Sequence, residues 1–237
     1  MSDAQNAPPR SRATSRQNAR PPLLSVRQQA SEMLRNAIYE GELKPGQRLT
    51  EREICESYGV SRTVAREVVR ELEAERLIEN DRRNGVTIAK MSEKEIFDLY
   101  EMRILLEARA CALCAGAMTA ELAGTLDDCM RAIETSAASG DHQDQRDSNQ
   151  RFYDEIFRAA GNLVQRQILT GLHGRVAYLR TMSMSRPGRP EQSLQELKAL
   201  LAALKAGDGA EAARLSTSHI VAARGSALRG VAERGAA

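Results

Sequence analysis

A chain of 237 residues, 42% hydrophobic and 28% charged, is long enough for a small module plus a second domain with its own core. No apolar run is long enough to cross a bilayer, which excludes a transmembrane protein, and the polar, Arg/Pro-rich N-terminus carries no secretion-type segment, so the cytoplasm is the expected location. The net charge of +2 decides nothing: residues 25 to 90 hold twelve basic and twelve acidic side chains, so nucleic-acid binding must rest on where charges sit.

Residues 1 to 24 lack periodicity and collect Pro, Ser, Gln and Arg, which reads as a disordered arm. A first helix is expected over about 25 to 40, with Val26, Ala30, Met33, Ala37 and Ile38 inward and Gly41 as its stop. After the Lys44-Pro45-Gly46 turn, Thr50 and Glu53 form a capping box that opens a second helix, with Ile54 and Tyr58 facing inward. Gly59 permits a tight reversal and Ser61 caps a third helix, which buries Ala65, Val68, Val69, Leu72 and Leu77. Residues 77 to 79 and 86 to 88 read as the strands of a hairpin with Asn84-Gly85 at its tip and Arg82 and Arg83 beside it. Two helices meeting at a glycine, followed by a two-stranded ribbon, make a winged helix-turn-helix.

Beyond residue 89 the pattern is helical throughout. Ser92 and Glu95 form another capping box, opening a helix to about 118 whose inward stripe is Ile96, Leu99, Arg103, Leu106, Ala110, Leu113 and Ala117. Further helices are expected at 120–138, 144–160, 163–182, 191–206 and 209–230, divided by Gly- and Pro-containing breaks. The fold class is therefore mainly α: an N-terminal winged helix-turn-helix over 25–90, an antiparallel all-α domain over 91–231, and a tail at 232–237.

The exposed side of the third helix carries Arg62, Thr63, Arg66 and Arg70. Arg62 and Arg66 lie one turn apart near its N-terminus, where a recognition helix meets base edges, and arginine can donate two hydrogen bonds to guanine. Ser61 and Thr63 can reach phosphate, as can the free amides of the helix start, and Arg52 is placed for the backbone or groove edge. The bland alternative is a solvated charged face paired with Glu67 and Glu73.

The segment LRNAIYEGELKPGQRLTEREICESYGVSRTVAREVVRELEAERLIE resembles the N-terminal domain of GntR-family transcription regulators. EIFDLYEMRILLEARA resembles the start of the FCD ligand-binding domain of the FadR-like branch, and the likeness covers about residues 25 to 230. It implies operator contacts from the positions of Arg52, Ser61, Arg62, Thr63, Arg66 and Gly85. It also implies a homodimer on an inverted-repeat, double-stranded DNA operator, with a small-molecule effector altering how the two reading heads are set. One departure is Val64-Ala65, where the family often has Pro-Val; proline suits a first helical turn without being required there.

Many FCD domains hold a divalent metal through an Asp, a His one turn later and two distant His. Matching RFYDEIF and LKAGDGAEAARL to the family puts those positions at Asn149, Tyr153, Leu197 and His219. Asn is a weak ligand, Tyr a rare one and Leu none, so no metal and no other cofactor is expected. Asn149, Tyr153 and His219 can instead hold the polar head of an effector, or form a satisfied buried cluster. Arg103 has two readings as well: a structural salt bridge with a glutamate of another helix, or a contact to an acidic effector. His142 and His173 are expected at the surface. Cys111-Ala-Leu-Cys114 lacks a second ligand pair, so it and the other cysteines, Cys55 and Cys129, read as packing residues.

The expectation is a ligand-responsive, DNA-binding transcription regulator with no enzymatic activity and no membrane partner. A winged-helix module that docks another protein is the rival; it calls for acidic or apolar residues where Arg62, Arg66 and Arg70 stand. A metal-dependent enzyme in the helical domain already fails on its ligands.

Overall fold

The computed structural model describes residues 24–81 and 85–235. The arm expected over 1–24, apart from Leu24, and the wing-tip Arg82, Arg83 and Asn84 lie outside them, as does the end of the expected tail. Ser25 and Gln28 cap each other's backbone to start α1 (Val26–Glu40), which Gly41 ends in the left-handed region. α1 turns Ala30, Leu34, Ala37 and Ile38 inward, whereas Val26 and Met33 are 59% and 53% exposed. The expected stripe and the observed one share Ala30, Ala37 and Ile38. Spacing alone does not settle the phase, and packing on α3 and α7 does.

β1 (Arg48–Leu49) precedes α2 (Glu51–Tyr58), which starts from the expected Thr50–Glu53 capping box and ends at Gly59 with φ 64°. Ser61 caps α3 (Arg62–Ala74), which buries Ala65, Val68, Val69 and Leu72. α3 closes through Arg76, in the left-handed region at φ 56°, with the Leu77 amide donating back to the Leu72 carbonyl at 2.9 Å. This is the Schellman arrangement, with an arginine where glycine is usual.

β2 (Ile78–Asp81) and β3 (Gly85–Ile88) form the wing, and β1 adds a third antiparallel strand that spacing had not suggested, in the order β1-β3-β2. A two-residue strand is too short for alternation to register; its pairing of Arg48 with Thr87 and Leu49 with Val86 supplies the signal. Gly85 has a positive φ of 72°, as a glycine after asparagine in a hairpin should, but it pairs with Asp81. Three residues therefore separate the paired positions, the loop length that places a left-handed glycine at the strand entry.

The remaining helices are α4 (Glu93–Gly116), α5 (Ala120–Ser139), α6 (His142–Ala159), α7 (Leu163–Met184), α8 (Arg189–Lys205) and α9 (Gly209–Gly235). α9 runs past the expected end at 230 and packs along α4, α7 and α8, while α5 lies on α6. α4 buries Ile96, Leu99, Tyr100, Arg103, Glu107, Ala110, Cys111 and Cys114; Leu106 and Leu113 are half-buried and Ala117 is exposed. The expected stripe stepped by a strict seven residues, and a straight helix drifts about 20° per heptad from that pattern. Following 3.6 residues per turn from Ile96 leads to Arg103, Glu107 and Cys114, as observed.

Two apolar clusters result. One lies within the helical domain around Leu126, Phe152, Ile156, Leu200 and Leu204. The other is continuous across the chain's two halves: Ile54, Val68 and Leu72 of the winged module share it with Ile96 and Tyr100 of α4, Leu179 and Met182 of α7, and Ile220 of α9. The winged module is thus seated on the helical domain, and at Gly174 of α7 the two approach closely, because a Cβ there would meet Glu75 at 3.0 Å.

Candidate nucleic-acid interface and internal cavity

Capping holds the start of α3 in place. The Ser61 hydroxyl accepts from the Val64 amide at 3.4 Å, a contact worth about 1 kcal/mol at a typical N-cap. Arg62 and Thr63 follow, both exposed, and Arg62 makes no ion pair among the described residues. Arg66 is exposed one turn on, its Nε donating at 3.0 Å to Glu51 of α2 rather than to a neighbour on its own helix. Arg52 is exposed and pairs with Glu56 at 3.1 Å. Exposed ion pairs of this kind contribute at most about 1 kcal/mol, so both guanidiniums are free to exchange partners. Gly85 is exposed at the tip end of the wing, where β3 leaves the loop. Arg52, Ser61, Arg62, Thr63 and Arg66 therefore share the outer side of the α2–α3 unit, with Arg70 exposed two turns along α3.

The polar positions of the helical domain separate into distinct settings. Arg103 is buried, but its partner is Glu107, one turn along the same helix at 2.6 Å, not a glutamate of another helix. Their side chains are 4% and 5% exposed. Spacing of four on one helix was a visible signal for this pair. His219 gives its Nδ1 to Glu196 at 2.6 Å, and Arg189 reaches the same carboxylate oxygen at 2.8 Å. Burial holds His219 below the ordinary histidine range against the pull of Glu196. Burial alone would raise Glu196, but hydrogen bonds from His219 and Arg189 outweigh it and hold the carboxyl below its usual range.

Tyr153 is buried with no hydrogen-bond partner for its hydroxyl, and the Arg180 guanidinium lies 5.4 Å from its ring centroid. Asn149 donates to the Gln145 carbonyl at 2.8 Å and lines a cavity of about 370 Å³ together with Arg146, Arg180, Met184 and Glu40 of α1. Arg180 and Arg146 were not singled out by sequence reasoning: Arg146 sits in a polar run and Arg180 is a single charge beside an apolar one, and both look solvated until the fold encloses them.

Leu197 is buried in the apolar cluster of the helical domain. With one imidazole already held by Glu196, and an amide, a phenol and an isobutyl group at the other three positions, these residues do not fit a divalent metal. No group of three or more His, Cys, Asp or Glu among the described residues is placed to hold one. The four cysteines are free thiols; burial pushes Cys111 up to about 12 and Cys114 up to about 11, which keeps both protonated and unreactive. His173 differs from its surface expectation: it is half-buried between Gln150, at 2.8 Å, and Asp154, at 3.7 Å. The matching expectation for His142 concerns a side chain outside the described residues.

Comparison with known proteins gives the arrangement a lineage. The model of bacterial regulatory proteins of the gntR family matches residues 26–88, and the FCD domain model matches residues 98–222, more than half of the chain. The galactonate operon transcriptional repressor of Escherichia coli is 28% identical over 203 residues, covering 76% of this chain and 87% of that protein. The HTH-type transcriptional regulator YdhC of Bacillus subtilis is 27% identical over 173 residues, covering 73% and 77%. Among solved structures, McbR/YncC of E. coli superposes with a TM-score of 0.69 at 21% identity, over 84% of this chain and 95% of that one, a likeness of fold. A capped arginine-bearing helix, a wing and an FCD helical domain in one chain make this protein a transcriptional regulator of the GntR family and not an enzyme.

Proposed function

We propose that the protein binds an inverted-repeat operator as a homodimer, and that a small, acidic metabolite held in the helical domain sets its DNA affinity. The observation that carries the DNA half is the outer side of α2–α3: Arg62 with no ion pair among the described residues, and Arg66 and Arg52 in exchangeable surface pairs, beside a capped helix start. Arg62 and Arg66 read base edges, while Arg52, Ser61, Thr63 and the wing at Gly85 hold phosphates. A module that docks another protein would show acidic or apolar side chains on this face, and the exposed arginines argue against it. The galactonate relative is a repressor, and we extend that regulatory sense to this chain. The cytoplasm follows from acting on DNA, and no helix among the described residues is long and apolar enough to cross a membrane.

Of the effector positions, Asn149 and Tyr153 have the better claim, one lining the cavity and the other holding an unsatisfied hydroxyl. Arg103 and His219 are committed to Glu107 and Glu196 and contact an effector only with what those pairs leave free. No metal takes part in this reading. Support for the dimer comes from Met102 and Leu105 of α4 and Leu163, Val164 and Ile168 of α7, all exposed. Gln165 donates to the Leu106 carbonyl at 2.6 Å and so brings these stretches together. Gel shift on DNA selected from a random pool tests the reading. Wild type should bind with a steep salt dependence, and Arg62→Ala/Arg66→Ala should lose most of its affinity. Equal, salt-insensitive retention by both proteins removes the DNA assignment. A thermal-shift screen of small organic acids and neutral metabolites tests the effector half.

A further inference from the structure

The cavity between α6 and α7 is walled by two arginines, and the charge around them is unbalanced. Arg146 is 8% exposed, and its Nη1 is buried with no hydrogen-bond partner. Its Nη2 donates at 2.9 Å to Asn36 of α1 and lies 3.9 Å from Glu40, at the last turn of α1. The same guanidinium sits 5.2 Å from the ring centroid of Tyr39. Arg180 has no ion pair among the described residues; its one ring contact is Tyr153, and burial pulls it below the ordinary guanidinium range. Removing a guanidinium from water is costly where its charge is not met, and on this wall Arg146 and Arg180 face one cavity with a single carboxylate between them. Glu40 is the carboxylate on the cavity wall, and it belongs to the winged module.

The geometry points to an anion-binding site built on Arg146 and Arg180, with Arg146 relaying its occupancy to the winged module through Asn36 and Glu40. The ligand class is a carboxylate or phosphate of a size that 370 Å³ admits, with Asn149 beside it and Met184 against its apolar part. An anion in the cavity draws the Arg146 guanidinium toward it, away from Asn36, and stands close to the Glu40 carboxylate. Both effects weaken the hold of α6 on the end of α1. The bound anion thus prefers a state in which the winged module is less firmly seated, which is the differential affinity a switch requires. This inference rests on the effector reading above and commits it to a charge, a place and a route.

The test uses the full chain with malonate and inorganic phosphate as anions and malonamide as the uncharged isostere. Calorimetry should show saturable binding of an anion to wild type and none of malonamide. Arg180→Met should weaken the anion by at least about tenfold, the loss that one charge-assisted hydrogen bond accounts for. Glu40→Gln should bind more tightly than wild type because a like charge has gone, a gain that a merely structural role would not produce. Should Arg180→Met fail to fold, as circular dichroism would show, Glu40→Gln still decides. Amide exchange at residues 37–41 should speed up with malonate in wild type, and not in Arg146→Met. Absence of saturable anion binding, or binding unchanged in both Arg180→Met and Glu40→Gln, overturns the site. Binding with no change at residues 37–41 overturns the relay. Stabilisation by neutral metabolites alone, in the thermal-shift screen, refutes the anion site while leaving an effector-binding domain standing.

Discussion

Replacing Gly174 by alanine separates two effects that normally travel together. Gly174 is in the interior of α7, so alanine there should strengthen the helix by about 1 kcal/mol. Its Cβ, however, would lie 3.0 Å from the Glu75 Cβ and 3.2 Å from both the Glu75 carbonyl oxygen and its carboxylate. Carbon pairs rest at about 3.5–4.0 Å, so a gap must open by about half an ångström. The carboxylate is poorly placed to yield, since Arg35 holds it with bonds of 2.9 and 2.6 Å, and the Cβ and carbonyl move only with the end of α3. Overpacking of this degree costs about 1–3 kcal/mol. That cost falls on the contact between winged module and helical domain, where the Tyr39 hydroxyl also donates to the Gly174 carbonyl at 3.3 Å. The expected outcome is an unchanged or raised melting temperature for the helical domain. The seated population of the winged module should meanwhile fall by about fivefold to a hundredfold. Amide exchange resolved by segment reads both, with faster exchange expected in α1 and the end of α3 only. Gly171→Ala, three residues away with nothing within 4 Å of its Cβ, should show the helix gain alone. If the two variants behave alike, the close approach at Gly174 does not hold the domains together in the way argued.

The buried Arg103–Glu107 pair should be worth far less than either partner alone: Glu107→Gln strands a guanidinium and costs about 3–5 kcal/mol in urea unfolding, whereas Arg103→Met/Glu107→Met should cost less than either single change. Additive losses in that cycle would refute it. Arg76→Gly should stabilise by about 0.5–1 kcal/mol, because a left-handed non-glycine residue is strained and because Arg76 faces the like-charged Arg175. A lower thermal midpoint would count against that account. His219 titrates below its unfolded value in the folded chain, so its contribution is complete above the ordinary histidine pKa of about 6.5 and is lost as pH falls toward the folded value. Urea midpoints should therefore fall more steeply between about pH 7 and 5 for wild type than for His219→Gln, and matching slopes would show that the imidazole is not held neutral.

Local chemistry is where the sequence was most legible. The Thr50–Glu53 and Ser92–Glu95 capping boxes, the Ser61 cap and the Gly59 reversal all stand where side-chain type and spacing placed them, because each is settled within four residues. The exposure of Arg62, Thr63 and Arg66 was legible for the same reason, once the apolar phase of α3 was known. What failed were inferences that needed a partner. The phase of α1 required α3 and α7; the strand at Arg48 required Thr87; the partner of Arg103 required knowing that α4 is covered on several sides, so that Glu107 is buried too. Arg146 and Arg180 are the clearest case. In sequence they are unremarkable charges on two helices separated by a break at Gly161-Asn162. Only the stacking of α6 and α7 under α1 encloses them, and only enclosure turns two solvated guanidiniums into an unpaired charge beside a cavity. By itself the sequence determined a capped helix-turn-helix with its arginines outward and a helical partner domain, since propensity, capping and periodicity are local. Tertiary structure decided how the two are joined and where their charges are left unmet, since burial depends on every other element at once.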